Sequence, residues 1–381
     1  MSRIEQLTAA DFEEGMTFLN AVFGEHGPHD FANLIPSIYR PTDEIMGWNY
    51  AIREDGELRA VVGLFPLHLQ AGDQQLRVAG IGGVSTHPSV RGKGYMQELM
   101  RHCVEQMGKQ GYHMSWLGGQ RQRYGYFGYE KCGTSVEVTL TPSNLRHTPE
   151  GQGGLGFEPL SLDDVQCLAQ ARTWHDGRQV HCRRKAEDFH HFLVNWENEP
   201  HAALDDAGAM RGYLVATADG TRVVELVAGD LPTAIAMARS WVTHRDTLVR
   251  FNLPVAEYEL TRALIAVGES HSLGHSGNWQ IFDWKRTVQV LMSVRALREP
   301  LADGQVSIAI EGYGGLRIRV SGGAVEVVRI GVDSPTWHPY TAMRVLFGPL
   351  APAQVTELSA ASAALSAWCP LPLDWPRQDG V

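Results

Sequence analysis

The 381-residue sequence predicts an α/β (α+β) chain of mixed sheets with helices on their faces. Three observations carry that prediction. The apolar, glycine-relieved run Val78–Thr86 reads as a buried strand, and behind a Gly-rich turn Met96, Leu99, Met100, Cys103, Val104 and Met107 recur at helical spacing. The turns Glu54-Asp55-Gly56 and Ala71-Gly72-Asp73 punctuate earlier strands as hairpins do. The order strand pair, helix, strand then returns in the middle of the chain. The length suits two or three domains, each able to bury a core, with expected boundaries at 1–150, 151–287 and 288–381.

In the first domain a helix is expected over Thr8–Phe23, then a loop rich in His, Pro and Asp over Gly24–Asp43. Strands follow near Gly47–Arg53 and Leu58–Gln70, then the Val78 strand, a helix from about Gly92 to Gly108–Gly111, and a short strand at His113–Leu117. The Pro- and Gly-bearing segment Thr141–Phe157 reads as a linker. In the second domain strands at Gly212–Thr217 and Arg222–Val227 flank the turn Ala218-Asp219-Gly220. A helix over Pro232–Arg245, capped by Asp230, leads to a strand at Leu248–Phe251. The third domain offers strands at Val306–Glu311, Leu316–Val320 and Ala324–Ile330, then helices at Pro339–Phe347 and Ala353–Trp368. Its apolar positions read as ordinary core rather than as a lipid site.

Composition narrows the class. Hydrophobic residues make up 44% of the chain, yet charges break every long apolar run, so no membrane span is expected. The start Met1-Ser2-Arg3-Ile4-Glu5 does not read as a signal peptide. The five cysteines are odd in number and form no CxxC pair, which fits a reducing, cytoplasmic compartment and argues against a structural zinc site. The net charge of −10 disfavours nucleic acid and suits a cationic substrate such as a primary amine.

The junction Arg91-Gly92-Lys93-Gly94-Tyr95-Met96 carries the chemistry. A Gly-rich turn opening a helix leaves backbone N–H groups unpaired at the positive end of the helix dipole, an arrangement suited to a pyrophosphate. Arg91 and Lys93 add charge, although the spacing is neither that of a Walker loop nor GxGxxG. In the second domain the matching junction is Ala228-Gly229-Asp230-Leu231-Pro232-Thr233. There Asp230 would repel a pyrophosphate and Pro232 removes a donor, so one phosphate site per chain is expected.

Two motifs resemble a known family. Arg91-x-x-Gly94-x-Met96 resembles the acetyl-CoA signature of the GNAT superfamily of N-acetyltransferases, with Met96 where Gly or Ala is usual. Tyr124-Gly125-Tyr126-Phe127-Gly128-Tyr129 resembles that superfamily's late tyrosine turn. Length and order are similar to the Eis-like (enhanced intracellular survival) branch. That branch implies tandem GNAT domains, the second degenerate, followed by a small sterol-carrier-like α+β domain. It also implies acetyl-CoA as cosubstrate and a homo-oligomer, with a hexamer as one form.

The resemblance assigns roles to residues. Backbone groups of Val84, Ser85 and Thr86 would pair with the pantetheine arm and stabilise an oxyanion. Arg91, Gly92, Lys93, Gly94, Tyr95, Met96 and Gln97 would hold the pyrophosphate, with Gly119 and Gln120 also at the cofactor. Tyr124 is the expected general acid, because a phenol of pKa about 10 can return a proton to a thiolate of pKa about 8.5. Packing alone is the other reading of Tyr124, and Tyr126 is its runner-up as the acid. The general base implied by the resemblance is the C-terminal carboxylate of Val381, with Glu130, Asp379 or a water-relayed carboxylate as alternatives. In the early loop, Glu25 and Asp30 are candidates to attract a cationic amine.

No cysteine has a setting that would lower its pKa, so direct transfer to a small-molecule or lysine-type amine in a ternary complex is expected. A non-catalytic acyl-CoA- or lipid-binding regulatory or carrier protein is the alternative. The pair His271-x-x-x-His275 has ligand spacing, but Gly268, Gly274 and Gly277 read as a loop, and no metal is expected there.

Overall fold

The computed structural model describes residues 4–24, 29–148, 154–332 and 336–381. The chain forms two compact units. The first comprises Met1–Gly133, His275–Leu371 and Gly380–Val381; the second comprises Thr134–Gly274 and Pro372–Asp379.

The first unit opens with β1 (Ile4–Gln6), α1 (Phe12–Phe23), α2 (Phe31–Leu34) and α3 (Asp43–Met46). Three long antiparallel strands follow: β2 (Asn49–Glu54), β3 (Glu57–Ala71) and β4 (Gln74–Thr86). The chain crosses over through α4 (Tyr95–Lys109) to β5 (Met114–Leu117), which pairs parallel with β4, as a helical crossover requires. The short helix α5 (Arg121–Gly125) and β6 (Glu130–Cys132) complete the segment. A strand from much later in the chain, Gly277–Ile281, is inserted antiparallel between β5 and β6.

Two-residue alternation sorts the faces of this sheet. Ile52, Ala60, Val62, Leu64, Ala79 and Ile81 turn towards Leu99, Met100, Cys103 and Met107 of α4. Their neighbours Ala51 and Val61 pack on the other face with Leu7, Phe18 and Met46.

The rest of this unit holds the helix Trp284–Arg298 and a smaller sheet ordered Ala324–Ile330, Gly314–Ser321, Gly304–Ile310 and Thr336–Trp337. Gln289 ties helix to sheet, accepting from Val327 N at 2.7 Å and donating to Val325 O at 3.1 Å. Pro339–Phe347 is helical as the sequence predicts. The long helix expected over Ala353–Trp368 is not formed. It breaks into Pro352–Val355, a 3-10 turn at Ala360–Ser362 and Leu365–Trp368. Thr356 turns extended (φ −154°, ψ 158°), and Trp368 is buried with its indole N–H on Ala302 O at 2.9 Å. Burial of that indole overrides the helical preference of the alanines.

The second unit has its own sheet, ordered Ser270–Gly274, Ser135–Leu140, Val249–Leu253, Arg222–Ala228, Met210–Ala216, Glu199–Leu204 and Gly156–Pro159. Arg222–Ala228 and Val249–Leu253 are parallel, joined by the helix Leu231–Arg245. The Asp230 carboxylate caps that helix, accepting from Thr233 N at 2.8 Å, and Pro232 stands in its first turn. Met237, Ala238, Trp241 and Val242 of the helix pack on Leu214, Ala216, Val223 and Phe251. Among the described residues no helix is long and apolar enough to cross a membrane.

Candidate active site

The centre of the first unit is the place where β4 leaves β5. Their parallel pairing runs from Val78↔Met114 to Ile81↔Leu117, whereas β4 continues to Thr86 beside β3. At the same place β4 bulges. Val61 pairs with Ser85 and Gly63 with Gly82, so Gly83 and Val84 stand opposite the single residue Val62. Gly83 takes φ 58°, which a residue without Cβ adopts freely. A splayed, bulged strand leaves main-chain groups that a bound ligand can complete.

Ser85 is buried, and its hydroxyl donates to Val61 O at 3.4 Å, so its side chain serves the sheet. Val84 packs at the edge of the α4 core, and Thr86 pairs with Ala60.

Beyond β4 the turn residues Gly92 (φ 89°) and Gly94 (φ 87°) are left-handed, with open space where side chains would be. The two positive φ angles delay α4 until Tyr95, three residues after the start expected near Gly92. Gly94 caps the helix without a side chain, and the first intrahelical bond is Glu98 N to Gly94 O at 3.0 Å. The first-turn amides of Tyr95, Met96 and Gln97 therefore point out of the helix end without intrahelical acceptors. Tyr95 and Met96 rest their side chains on the α4 core. Exposed Lys93 is paired with half-buried Glu54 (Nζ–Oε1 2.8 Å), an ion pair that solvent screens, and Arg91 is exposed.

The tyrosine turn separates its aromatics by environment. Tyr124 is 8% exposed and its ring lies on Gly119, whose ideal Cβ would be 2.8 Å from the ring. Burial raises its pKa, with Arg123 opposing in part, so the phenol stays protonated at neutral pH. Tyr126 is 90% exposed. Tyr129 is fully buried and shares a 2.7 Å hydrogen bond with Ser115 Oγ, which donates to Ala79 O at 2.7 Å. Gln120 is exposed and precedes α5 as its cap residue. Asn278 secures the preceding loop, donating to Leu117 O at 3.3 Å and Gly119 O at 3.1 Å. Tyr340 donates its hydroxyl to Gly125 O.

The chain end lies on β4. An ideal Cβ on Gly82 would be 2.8 Å from the carboxyl carbon of Val381 and 3.2 Å from its oxygen. One on Gly80 would be 2.6 Å from Val381 Cγ2. The two glycines, two residues apart on one face of the strand, leave the room in which the terminal residue lies.

The alternative carboxylates are engaged elsewhere. Glu130 is buried and held by Arg121 through Nε at 2.5 Å and Nη2 at 2.6 Å. Asp379 is buried in the second unit, where Arg184 grips it through Nε–Oδ1 at 2.8 Å and Nη2–Oδ2 at 2.9 Å. The same guanidinium holds Glu225 at 2.6 Å, and Tyr213 donates to Glu225 at 2.6 Å. Next to Asp379, the Gln378 amide donates to Phe192 O, Leu193 O and Asn195 O at 2.6, 3.0 and 3.1 Å.

Of the two acidic candidates in the early loop, Glu25 lies outside the described residues. Asp30 caps α2, accepting from Asn33 N at 3.3 Å and Asn33 Nδ2 at 2.7 Å. A row of edge-on rings, which sequence reasoning missed, runs from Phe23 through Phe31 and Tyr39 to Phe65 and Trp48. Its only sequence signal is the aromatic content of the loop after α1.

Burial pushes the thiols of Cys103 and Cys369 up to about 12 and those of Cys132 and Cys182 well above the usual value. These four are poor nucleophiles. His271 stands not in the expected loop but on the strand Ser270–Gly274, where pairing with Ser135–Leu140 outweighs the flanking glycines, and among the described residues no group of three or more His, Cys, Asp or Glu could hold a metal ion.

Residues 3–132 match the family described as Acetyltransferase (GNAT) domain. Nearly the whole chain is similar in fold to a GCN5-related N-acetyltransferase from Kribbella flavida, at 19% identity over 97% of each chain with a TM-score of 0.66. It is also similar to a GCN5-related N-acetyltransferase from Anabaena variabilis ATCC 29413, at 18% identity over 99% of this chain and 98% of that one, TM-score 0.67. Eis1 from Mycobacterium abscessus aligns at 14% identity over 97% of each chain, TM-score 0.61. No curated protein matches in sequence. The splayed and bulged β4, the Gly-rich start of α4 and the Tyr124 turn all lie within residues 3–132, the segment that matches the GNAT acetyltransferase domain family.

Proposed function

We propose that the chain is an acetyl-CoA-dependent N-acetyltransferase of the Eis-like type, acting on a primary amine by direct attack in a ternary complex. The observation that carries the reading is the position of the Val381 carboxyl against Gly82, where β4 parts from β5. The pyrophosphate would lie over the first turn of α4, taking the amides of Tyr95, Met96 and Gln97, with Arg91 and a released Lys93 adding charge. The pantetheine arm would complete the open edge of β4 at Val84–Thr86, beside the Gly119–Gln120 loop. The Val381 carboxylate takes the proton of the attacking amine, and protonated Tyr124 supplies one to the departing thiolate. Burial of the thiols supports direct transfer over a covalent acetyl-enzyme.

The acidic balance of the chain favours a cationic small-molecule or lysine-type acceptor. A cytoplasmic homo-oligomer is part of the proposal, as are one acetyl-CoA site per chain and the sterol-carrier-like reading of residues 288–381. The second unit has Asp230 and Pro232 at the junction that would need free donors.

The test is thiol release from acetyl-CoA with a panel of polyamine, aminoglycoside, amino-acid and peptide amines. It compares the full chain, a chain lacking Gly380 and Val381, and Tyr124→Phe. The expected result is turnover by the full chain, with kcat lowered about 10²–10⁴-fold in each variant while acetyl-CoA still binds. Undiminished turnover in the truncated chain removes Val381 from the mechanism. Acetyl-CoA binding without turnover of any amine favours a carrier.

A further inference from the structure

Tyr39 lies between α2 and α3 and is 2% exposed. Its ring is held edge-on by Phe31 at 5.7 Å and Phe65 at 5.9 Å. Among the described residues its hydroxyl has no hydrogen-bond partner, whereas buried tyrosine hydroxyls ordinarily find one. A position that needed only ring volume would be filled as well by Phe, without an unmet donor.

The hydroxyl is aimed at the bulge of β4. An ideal Cβ on Gly83 would lie 2.6 Å from Tyr39 Oη. The preceding residue, Gly82, carries the Val381 carboxyl at 2.8 Å on the same measure. Phe65 links the two, touching the Tyr39 ring and standing 3.1 Å from the same Gly82 position. An orphan donor and the terminal carboxyl therefore flank consecutive residues of one bulge.

We infer that Tyr39 is a further catalytic residue, whose hydroxyl donates a hydrogen bond to the carbonyl oxygen of the acyl thioester as that oxygen becomes an oxyanion. The inference rests on the acyl-transfer reading of β4 proposed above. In the step, the amine lone pair forms the C–N bond and the carbonyl π pair moves onto oxygen, where Tyr39 meets the charge without giving up its proton. The amine proton passes to the Val381 carboxylate. The oxyanion then restores C=O, the C–S bond breaks, and the thiolate takes the Tyr124 proton, which solvent exchange replaces from the Val381 carboxylic acid. Burial raises the Tyr39 pKa, with no neighbouring charge opposing it, so the group remains a donor throughout.

The experiment uses the full chain and Tyr39→Phe. It measures kcat and KM by thiol release, melting temperature, and binding of acetyl-CoA against S-ethyl-CoA, which lacks the carbonyl. The expected result is a loss in kcat of about 10²–10³-fold. KM for acetyl-CoA should rise only modestly, in step with a narrowed preference for acetyl-CoA over S-ethyl-CoA, and the melting temperature should not fall. An unchanged kcat beside an active parent overturns the role of Tyr39 and leaves the site reading standing. An unchanged acetyl-to-ethyl preference overturns it as well, because a purely structural role would affect both ligands alike and leave that ratio untouched. A parent chain that binds no acetyl-CoA overturns the site reading, and the inference with it.

Discussion

Substituting Gly82→Ala moves the chain end without shortening it. The new methyl would stand 2.8 Å from the Val381 carboxyl carbon and 3.1 Å from Cε2 of Phe65. Ordinary carbon contacts are about 3.5–4.0 Å, so the carboxyl must withdraw by about 0.7–1.2 Å. A misplacement of about 1 Å at a reacting group costs about 10² in rate, equivalent to about 2.7 kcal/mol. Gly82 lies in β4 without a positive φ, so alanine suits its backbone, and the sheet itself gains from losing a mid-strand glycine. The expected variant is folded, melts no lower than the parent, and has kcat reduced about 10²-fold. Gly80→Ala is the control, because it meets only the far ends of Val381 Cγ2 and Leu67 Cδ1, which can swing aside. The assay is thiol release by the parent, both variants, and each combined with deletion of Gly380 and Val381. If the carboxyl is the group displaced, the deletion adds little to Gly82→Ala. A full additional loss on deletion, or an unimpaired Gly82→Ala, would refute the reasoning.

Two further predictions concern the second unit. Arg184→Met leaves Glu225 and Asp379 buried together without their cation and is expected to destabilise by about 3–5 kcal/mol in chemical denaturation. Arg184 overcomes the burial of Glu225 and holds its carboxyl well below the usual range. Its stabilisation is therefore full above the unfolded carboxylate pKa of about 4.3 and fades as pH falls through the folded value, so Arg184→Met should flatten the acid limb of stability. Asp374 behaves in the opposite sense. It is partly exposed as a residue, yet burial of its carboxyl pushes the pKa up to about 7, against opposing hydrogen bonds from Val255 and Trp375. Folding then favours its protonated form, so stability falls as pH rises from about 4 towards 7 and stays lowered above that. Asp374→Asn should raise the melting temperature at pH 8 and leave it nearly unchanged at pH 4.

The signals that were legible in the sequence are short-ranged. The Val78 strand, the apolar stripe of α4, the capping of Leu231–Arg245 by Asp230 and the helix Pro339–Phe347 all announce themselves within a few residues. Gly80 and Gly82 were visible as relief in an apolar run, but their reason was not, because the atoms that fill their space belong to the last residue of the chain. The Ala353–Trp368 segment misled because its helical composition is outweighed by the burial of one indole.

Periodicity and turn chemistry by themselves determined that this protein has mixed sheets, a strand–turn–helix junction suited to an anion, and a second copy of that order with a capped, proline-bearing junction. They act between neighbours in sequence, where the physics is local dihedral preference and the facing of side chains. Only the tertiary structure decided that Gly277–Ile281 enters the first sheet between β5 and β6, that Tyr39 turns its hydroxyl to the bulge, and that Val381 lies on Gly82. Those outcomes depend on which distant segments meet when apolar faces are buried, and a one-dimensional pattern carries no record of its partners.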